Sequence, residues 1–435
     1  MVAIIPRMKI LILGATGFIG SEVLKSLHLR GHAVTGLARS VTRARDKWPF
    51  ADWVSADLAK MTHATDWSSL VQDHDAIVNC AGALQDGLSD DLAATQEKAM
   101  LALHEAAAQA VGRRIIQISA RTAGAASGLP FLATKRRADE ALAASGLSHV
   151  ILRPALVVGR NAHGGTALVR ALAGFPFVVP LVNGQIAVRT VAVEDVATVV
   201  CAAIEGEIPP DSDLELAAKE TLTLQDVVAR HRQWLGLPRA PVINLPAAFM
   251  RPVGLVADAA GRLGWRSPLR STAMTVMSEG IVTENEAGPA MASLKTLEQT
   301  LAAHPSGVQD LWFARLYLLK PLVILCLSLF WLLSGLMPLL HITGAAAHFL
   351  PFMPHALAVV LTLTTCLLDI ALGVTVLLRP LARKALISML LVSAAYLAGG
   401  SLLEPTLWLD PLGPLVKVLP SVALTLVALA TLDER

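Results

Sequence analysis

Three glycines that follow an apolar run form the first motif in the chain that could bind a ligand. In KILILGATGFIG, residues 9–20, Gly14, Gly17 and Gly20 come directly after a predicted strand and open a helical pattern. Glycines at this spacing permit a tight turn, and they let backbone N–H groups at the positive end of a helix approach a pyrophosphate. Their placement between a strand and a helix predicts a dinucleotide-binding site.

The second predicted strand ends in a residue that bears on which dinucleotide is bound. HAVTGLARS, residues 32–40, carries Arg39 at the point where a carboxylate would bind the 2′-hydroxyl of NAD. An arginine instead suits the 2′-phosphate of NADP through charge-assisted hydrogen bonds, and Ser40 and Arg43 can assist it. We therefore expect NADP(H) in preference to NAD(H); a solvated surface arginine is the alternative.

The elements that must position these residues alternate along the chain. Helical segments, such as the alanine-rich residues 93–111, separate apolar runs that predict further strands within residues 53–58, 76–82, 113–120 and 149–159. Strands that alternate with helices form a parallel, doubly wound sheet, which binds ligands at the carboxyl ends of its strands. At two such ends, Asp57-Leu58 is suited to lining an adenine and Ala81-Gly82 permits close backbone approach.

Six short motifs carry a resemblance to a known family. GATGFIG, ADL, NCAG, ISA, TKRRADEAL and LRPALVVG, in this order and spacing, resemble the short-chain dehydrogenase/reductase superfamily over about residues 8–310. More narrowly, the motifs resemble the atypical extended members of this superfamily, similar to the nucleotide-binding accessory subunit of respiratory complex I. Besides the three glycines, the resemblance implies that the dinucleotide is held by Thr16, Phe18, Ile19, Arg39, Asp57, Leu58, Ala81 and Gly82.

The same resemblance implies three residues around the nicotinamide and one departure from the family. Ser119 would lie near the nicotinamide, Lys135 would bond its ribose, and Pro154 would back the ring. Phe131 stands where the family carries a tyrosine that exchanges a proton while hydride moves. General acid–base help contributes roughly 10²–10⁴ in rate, so ordinary ketone reduction is disfavoured. A quinone or a flavin-like acceptor, protonated by solvent, avoids the need for this proton donor.

Other proton donors are few. The two tyrosines, Tyr317 and Tyr396, fall at the edge of or inside the apolar region described below. His163, in the loop GRNAHGG, would face the substrate side, although a lone loop histidine is usually solvated. The hydroxyl partner of the family stays open between Ser119 and Thr122, with Arg121 between them.

Residues 155–310 are expected to alternate between the sheet and a smaller lobe, which in the family closes over the substrate. Residues 187–204 predict a strand that feeds a helix, and residues 221–238 predict an amphipathic helix. The apolar residues 241–256 are compatible with a lipophilic ligand, with membrane contact or with ordinary core packing.

The last third of the chain is much more apolar than the rest. The 435 residues have a mean hydropathy of +0.57 and only 16% charged residues, which is unusual for a soluble protein. Four apolar stretches approach the length of about 20 residues that crosses a bilayer, and they cover residues 321–340, 356–378, 385–403 and 411–432. The fourth is the weakest because it contains Lys417 and two prolines near its start. We predict a four-span membrane domain.

The charges of the loops predict the orientation of this domain. Residues 341–356 contain no Lys or Arg, whereas residues 379–384 contain three, and Arg315 and Lys320 precede the first stretch. The positive-inside rule places the N-terminal domain and the C-terminus in the cytoplasm, as a multi-pass protein of the cell (inner) membrane. The apolar N-terminal run leads directly into the glycine motif, so we interpret it as a strand and not as a signal peptide.

The four stretches resemble the DoxX-like family of small four-helix membrane proteins, whose relatives include quinone-linked oxidoreductase subunits. The resemblance covers about residues 315–435. It rests mainly on the number of spans, and the segments FWLLSGL and LLDIALGV are also similar to the family. Asp369 lies near the middle of the second stretch, where a carboxylate is costly, so it must face other helices or a polar ligand. A proton or quinone-headgroup contact is one interpretation, and a helix-packing hydrogen bond is the other.

Composition argues against several other classes. A net charge of +2 does not indicate a nucleic-acid partner. The four cysteines are far apart, and the histidines at 341, 348 and 355 have no compact spacing, so we expect no metal site and no disulfide framework.

The sequence thus predicts an α/β fold of Rossmann type followed by an all-α four-helix transmembrane domain. Residues 1–310 form the nucleotide-binding domain, in which 155–310 contribute the substrate lobe, and residues 311–435 form the membrane domain. One hypothesis is a reductase that passes hydride from NADP(H) to a lipophilic acceptor such as a quinone or isoprenoid in the bilayer. The alternative is a non-catalytic NADP(H)-binding scaffold, assembly factor or redox sensor in a membrane protein complex.

Overall fold

The computed structural model describes residues 6–82, 91–110, 112–122, 125–278, 280, 294–411 and 413–433. Two compact units divide the chain. The first comprises Met1–Asp258 and Ser267–Ala314, and the second comprises Ala259–Arg266 and Arg315–Arg435.

A seven-stranded parallel sheet forms the centre of the first unit. All strands of the first unit in the described residues, in chain order, are β1 Lys9–Leu13, β2 Ala33–Ala38, β3 Asp52–Ser55, β4 Ala76–Asn79, β5 Arg114–Ile118, β6 Ser148–Pro154, β7 Leu156–Val158, β8 Val179–Leu181, β9 Ala187–Val188, β10 Thr190–Ala192, β11 Ser212–Leu216, β12 Leu222–Thr223 and β13 Val242–Asn244. Seven of them form the large sheet. The sheet has the order β3-β2-β1-β4-β5-β6-β11. The predicted doubly wound parallel sheet is confirmed.

Helices cover both faces of this sheet. Those of the first unit are α1 Phe18–Leu29, α2 Val41–Lys47, α3 Ser68–Gln72, α4 Ala99–Ala108, α5 Pro130–Ala144, α6 Gly165–Ala173, α7 Val193–Ile204, α8 Leu224–Trp234, α9 Met250–Arg262, α10 Ser271–Ser278, α11 Leu297–Ala303 and α12 Val308–Tyr317, of which α9 and α12 end in the second unit. A π-helical turn, Ala94–Lys98, leads into α4.

The side chains of β1 point alternately to the two faces of the sheet, and both faces are covered by helices. Ile10 and Ile12 pack with α1 and α7 on one face of the sheet, whereas Leu11 and Leu13 pack with α4 and α5 on the other. All four side chains are fully buried. A strand covered on both faces needs a continuous apolar run, which is what the sequence provides at this point.

The remaining strands form a smaller lobe. β10 pairs with β7 and β13 with β8 in parallel, and β12 pairs with β9 antiparallel. The helix predicted within residues 221–238 is α8, whose N-cap Thr223 accepts a hydrogen bond from the backbone N–H of Asp226. β11 and α7 belong to the main sheet and its cover, so residues 155–310 supply both the core and the lobe.

The second unit is helical. Its helices are α13 Leu319–Leu340, α14 Ile342–Ala347, α15 His355–Thr375, α16 Ala382–Leu403 and α17 Val418–Thr431. Among the described residues, α13, α15 and α16 are long and apolar enough to cross a membrane, and α17 is an apolar helix of 14 residues. Three of the four predicted spans are therefore candidate spans. The fourth stretch is helical only from Val418 onward, so its crossing of the membrane stays a prediction.

Candidate functional site

The glycine turn after β1 has no room for side chains. Gly14 adopts φ +67°, which is favourable only for glycine, and a Cβ there would lie 2.8 Å from the backbone nitrogen of Ala81. The N–H of Gly17 donates to the Gly14 carbonyl at 2.9 Å. A Cβ at Gly20 would collide with that same carbonyl. The three glycines thus let β1, the turn and the end of β4 approach one another.

The first turn of α1 is available to an anion. α1 begins at Phe18 with Gly17 as N-cap, and among the described residues no side chain caps it and no acid lies in its first turn. The backbone N–H groups at this helix end point away from the helix without an intrahelical acceptor. Thr16, Phe18 and Ile19 therefore lie where the sequence predicts contacts to a pyrophosphate.

Two buried amides fix the loop that faces the glycine turn. The Asn79 side chain donates to Gln117 Oε1 at 2.9 Å, and its own oxygen accepts from the N–H of Ala81 at 2.9 Å. Both amides are buried. Neither residue was predicted from the sequence to belong to the site; Asn79 ends β4 and Gln117 is the last residue but one of β5. They hold Ala81 and Gly82 in position beside Gly14.

Lys135 reaches the same loop from α5. Its ammonium donates to the Ile118 carbonyl at 3.0 Å, and a Cβ built on Gly82 would lie 3.6 Å from its Nζ. Burial lowers the pKa of Lys135, and the charge of Asp139 opposes that shift. Burial raises the pKa of the neighbouring Cys80 thiol to about 12, against the influence of Lys135. The buried Lys135 side chain therefore lies at the carboxyl end of the sheet, close to Ala81 and Gly82, which form the predicted nucleotide loop.

Ser119 is engaged in a network that the sequence did not predict. Its hydroxyl donates to Asp139 at 2.5 Å, and Arg153 approaches the same carboxylate oxygen at 2.9 Å. Arg153 also donates to both oxygens of Asp213, at 2.8 and 2.9 Å. Burial raises the pKa of Asp139, whereas the Ser119 hydrogen bond and the Arg153 charge lower it. The Ser119 hydroxyl thus donates its only proton to the Asp139 carboxylate.

Phe131 lies in the first turn of α5, four residues before Lys135. Tyr317 and Tyr396 belong to the second unit, and the Tyr396 hydroxyl donates to Asp369 at 2.8 Å. The His163 ring stacks on the ring of Phe18 with centroids 6.1 Å apart, which places it beside the glycine turn. The first unit thus offers a histidine near the nucleotide loop and no phenol.

The residues predicted to hold the adenosine half lie at the ends of β2 and β3. Arg39 directly follows β2 and is exposed, and Ser40 is the N-cap of α2. Asp57 caps a short 3₁₀ turn, because its carboxylate accepts from the N–H of Ala59 at 3.3 Å, and Leu58 follows partly buried. These positions lie at the carboxyl edge of the sheet, as does Pro154 at the end of β6.

The second unit contains its own polar cluster. Asp369 on α15 accepts hydrogen bonds from Tyr396 on α16 at 2.8 Å and from Ser334 on α13 at 2.9 Å. Asp369 is only 4% exposed. Three helices thus converge on one carboxylate, and Tyr396 and Ser334 were not predicted as its partners. Nothing in a local sequence pattern links side chains 27 and 35 residues away from it.

Among the described residues, no group of three or more His, Cys, Asp and Glu side chains is arranged to hold a metal ion. The four cysteines are free thiols.

Two protein families match separate parts of the chain. A family described as NAD(P)H-binding matches residues 14–207, and the DoxX-like family matches residues 328–426. A 3-diazoavenalumate denitrifying reductase of Streptomyces is 30% identical over 272 residues, which cover 56% of this chain and 86% of that protein. An uncharacterised protein of Mycobacterium tuberculosis is 28% identical over 238 residues. That match covers 54% of this chain but only 24% of the mycobacterial relative.

Solved structures share the fold of the first unit. The crystal structure of gox2253 superposes with a TM-score of 0.52 at 20% identity and covers 68% of this chain and 96% of its own. Pal from Bacillus thuringiensis superposes with a TM-score of 0.51 at 16% identity and covers 70% and 100%, respectively. At these identities the likeness concerns the fold alone.

Proposed function

Because the chain belongs to the NAD(P)H-binding short-chain dehydrogenase/reductase family and carries a DoxX-like domain, we propose that it is a membrane-anchored reductase. It passes hydride from NADPH to a lipophilic acceptor such as a quinone or isoprenoid. One observation carries this proposal: Lys135 is held at the nucleotide loop while Phe131 replaces the proton donor one turn away. This arrangement supports a site that has kept cofactor binding and lost enzymic protonation.

The residues of the first unit fit a dinucleotide. A side chain at Gly14 would enter the backbone of Ala81, so the turn forms a cradle that only glycine leaves open. In the proposal, the N–H groups of the first turn of α1 bind the pyrophosphate. Lys135 bonds the nicotinamide ribose, and Arg39 bonds the 2′-phosphate that distinguishes NADP from NAD. The bound nicotinamide supplies the hydride.

The chemistry of the acceptor explains why a phenol is not needed. A hydride carries two electrons to a quinone and gives a hydroquinone monoanion, which takes its proton from solvent. The balance is NADPH + H⁺ + quinone → NADP⁺ + hydroquinone. An alkoxide formed from an ordinary ketone is far more basic, so that reaction depends on an acid within the site. The reductase named among the relatives supports a reductive role.

Asp369 is the residue that we propose for the acceptor side. A carboxylate inside an apolar bundle is costly, and such residues commonly serve proton or ligand pathways. Tyr396 and Ser334 hold its two oxygens in one orientation. In the proposal, this cluster contacts the headgroup oxygen of a lipophilic acceptor, whose proton still comes from solvent. The protein lies in the cell membrane with the first unit on the cytoplasmic side, which is where the positive-inside rule places it.

The second candidate function is a non-catalytic NADP(H)-binding scaffold, assembly factor or redox sensor. Phe131 favours it, because a site that only binds the dinucleotide needs Lys135 and has no use for a proton donor. In this case the membrane domain joins a larger protein complex, and binding of NADP(H) stabilises the first unit without turnover.

One experiment separates the two candidates. Full-length protein in lipid nanodiscs is mixed with NADPH, and NADPH absorbance is followed while short-chain quinones or membrane lipid extracts are added. Oxidation that disappears in Lys135→Ala, but persists in Lys25→Ala on the exposed surface of α1, supports the reductase. Tight NADPH binding without oxidation by any acceptor supports the scaffold. An Asp369→Asn variant that oxidises NADPH at the wild-type rate and KM removes Asp369 from the proposal.

A further inference from the structure

One face of α9 is apolar and exposed. Leu255 and Val256 are 70% and 66% exposed, and Pro252 and Ala259 lie on the same strip. At 3.6 residues per turn these four positions form a stripe roughly 100° wide. An amphipathic helix of a soluble domain turns such a stripe towards the core, not away from it. This stripe therefore indicates a partner outside the first unit.

The opposite face of α9 already has its partner. Gly254 and Ala257 are buried, and a Cβ at Gly254 would lie 2.7 Å from the methyl group of Met274 on α10. Arg270, which directly precedes α10, donates a hydrogen bond to Asp258 on α9. The helix therefore packs on α10 through one face and presents the other face outward.

Arginines border the exposed stripe. Arg251 and Arg262 are both exposed, and the geometry of a helix places them together along one edge of the stripe. Apolar side chains in the centre with basic side chains at the border are typical of helices that lie in the plane of a membrane surface. The arginines complement the phosphates and carboxylates of anionic headgroups.

α12 shows a second exposed apolar stretch. Val308 is 58% exposed and Trp312 is 61% exposed. Asp310 on the same helix is buried and pairs with Arg160 at 2.7 Å and with Arg170 at 3.6 Å, which fixes the start of α12 on the first unit. Trp312 precedes the first candidate span, α13, by seven residues in the sequence. Tryptophan is enriched at the interface between a membrane and water.

The last turn of α9 and the residues just after it pack within the second unit. Ala259–Arg266 belong to the second unit, where the Trp265 indole donates to the Leu377 carbonyl at 2.7 Å and the N–H of Arg379 donates to the Leu263 carbonyl at 2.9 Å. The Arg379 guanidinium lies 5.6 Å from the centroid of the Trp265 ring. The last turn of α9 thus runs into residues that pack at the ends of candidate spans.

We propose that α9 and α12 are interfacial helices that dock the first unit on the surface of the bilayer. We assign the interfacial surface to two parts, with Phe249, Leu255 and Val256 at α9 and with Val308 and Trp312 on α12. It lies at the boundary between headgroups and acyl chains, and Arg251 and Arg262 contact anionic headgroups. This contact exists in addition to the spans, it goes beyond the proposed function, and it does not require turnover or a bound dinucleotide.

A lipid-quenching experiment tests this surface on the full-length protein in nanodiscs. An environment-sensitive fluorophore is attached to Leu255→Cys or Trp312→Cys in a Cys326→Ser background, because Cys326 is exposed. Leu29→Cys on α1 is the matched control, since Leu29 is an apolar side chain with 74% exposure. Nitroxide-labelled lipids are then added. We expect quenching at 255 and 312 to exceed that at 29 by about twofold or more, with a blue-shifted emission.

The other outcomes overturn the proposal. Equal quenching at the three positions means that the surface does not meet lipid. Shielding of position 255 from both lipid and aqueous quenchers, in proportion to protein concentration, means that a second copy of the chain covers it. In nanodiscs that contain anionic lipid, Arg251→Gln/Arg262→Gln should reduce the quenching at 255. An unchanged signal in this double variant overturns the assignment of the arginines.

Discussion

Phe131 and Lys135 lie one turn apart on α5, and only Lys135 can take part in proton or hydrogen-bond chemistry. The Lys135 ammonium is buried and donates to the carbonyl of Ile118. The benzyl ring of Phe131 has no group that could exchange a proton. In the proposed function, Lys135 therefore holds the cofactor, and the acceptor must be one that can be reduced without an enzymic acid.

Phe131→Tyr should create carbonyl reductase activity. The new phenol would stand four residues before Lys135, whose positive charge lowers the pKa of a nearby phenol. The gain expected from general acid catalysis is roughly 10²–10⁴ in the rate of NADPH oxidation with simple aldehydes and ketones. The measurement is a steady-state assay with a panel of carbonyl compounds. Phe131→Leu, which adds no proton donor, should show no gain. Equal rates in wild type and Phe131→Tyr would show that the phenol position does not face the substrate.

Much of the first unit was predictable because its signals are local. Continuous apolar runs such as residues 10–13 indicated strands covered on both faces, and glycines at fixed spacing indicated the turn between β1 and α1. β11 was missed, since Asp213 and Glu215 alternate with apolar residues in a short edge strand. A single polar-alternating run of five residues does not distinguish such a strand from a loop.

The partners of the site residues were not predictable for a different reason. Ser119 and Asp139 are 20 residues apart, and Asn79 and Gln117 are 38 residues apart. Asn79 and Gln117 meet because β4 and β5 are neighbours in the sheet, and Ser119 and Asp139 meet because α5 packs at the end of β5. Spacing along the chain contains no direct record of such contacts, so the sequence identified Ser119 without its partner. The fourth apolar stretch has the hydropathy of a span, but its helix begins only after Pro414 and Lys417.

Gly14→Ala should abolish nucleotide binding, and Gly31→Ala should not. Both glycines have positive φ, +67° and +89°, so an alanine is strained at either position by about 1 kcal/mol. Only at Gly14 does the added Cβ meet backbone, 2.8 Å from Ala81 N, whereas nothing lies within 4 Å at Gly31. NADPH titration by fluorescence separates the two effects, since strain alone is common to both variants. Retained binding in Gly14→Ala would place the nucleotide elsewhere.

Arg39→Gln should weaken the binding of NADPH more than that of NADH. A charge-assisted hydrogen bond contributes about 1.5–3 kcal/mol, which is roughly a 10- to 100-fold change in Kd. NADH has no 2′-phosphate, so its Kd should stay unchanged. Calorimetric titration of both nucleotides on wild type, Arg39→Gln and Arg43→Gln makes the comparison, with a smaller effect expected for Arg43. Parallel weakening of NADPH and NADH would contradict a role for Arg39 in selecting the phosphate.

His104→Leu should stabilise the first unit at acidic pH. His104 is buried in α4, its two ring nitrogens have no hydrogen-bond partner among the described residues, and burial followed by the charge of His149 lowers its pKa from 6.5 to about 4. The unfolded chain then binds more protons than the folded chain between these two values, so stability falls as the pH drops from about 6.5 to about 4. The loss from this one histidine is about 3 kcal/mol. His231, whose pKa burial also lowers to about 4, adds to the same acid sensitivity.

Melting of the first unit of the full-length protein in nanodiscs, followed from pH 7.5 to pH 4.5, checks this expectation. The melting temperature of wild type should fall steeply below pH 6.5, and that of His104→Leu should fall less. Removal of the two unpaired nitrogens should also leave the variant at least as stable as wild type at pH 7.5, because a buried polar atom without a partner is destabilising. His28→Leu, at an exposed position on α1, should follow the wild-type profile. A parallel loss in His104→Leu and wild type would mean that His104 is protonated in the folded protein and that other groups cause the acid sensitivity.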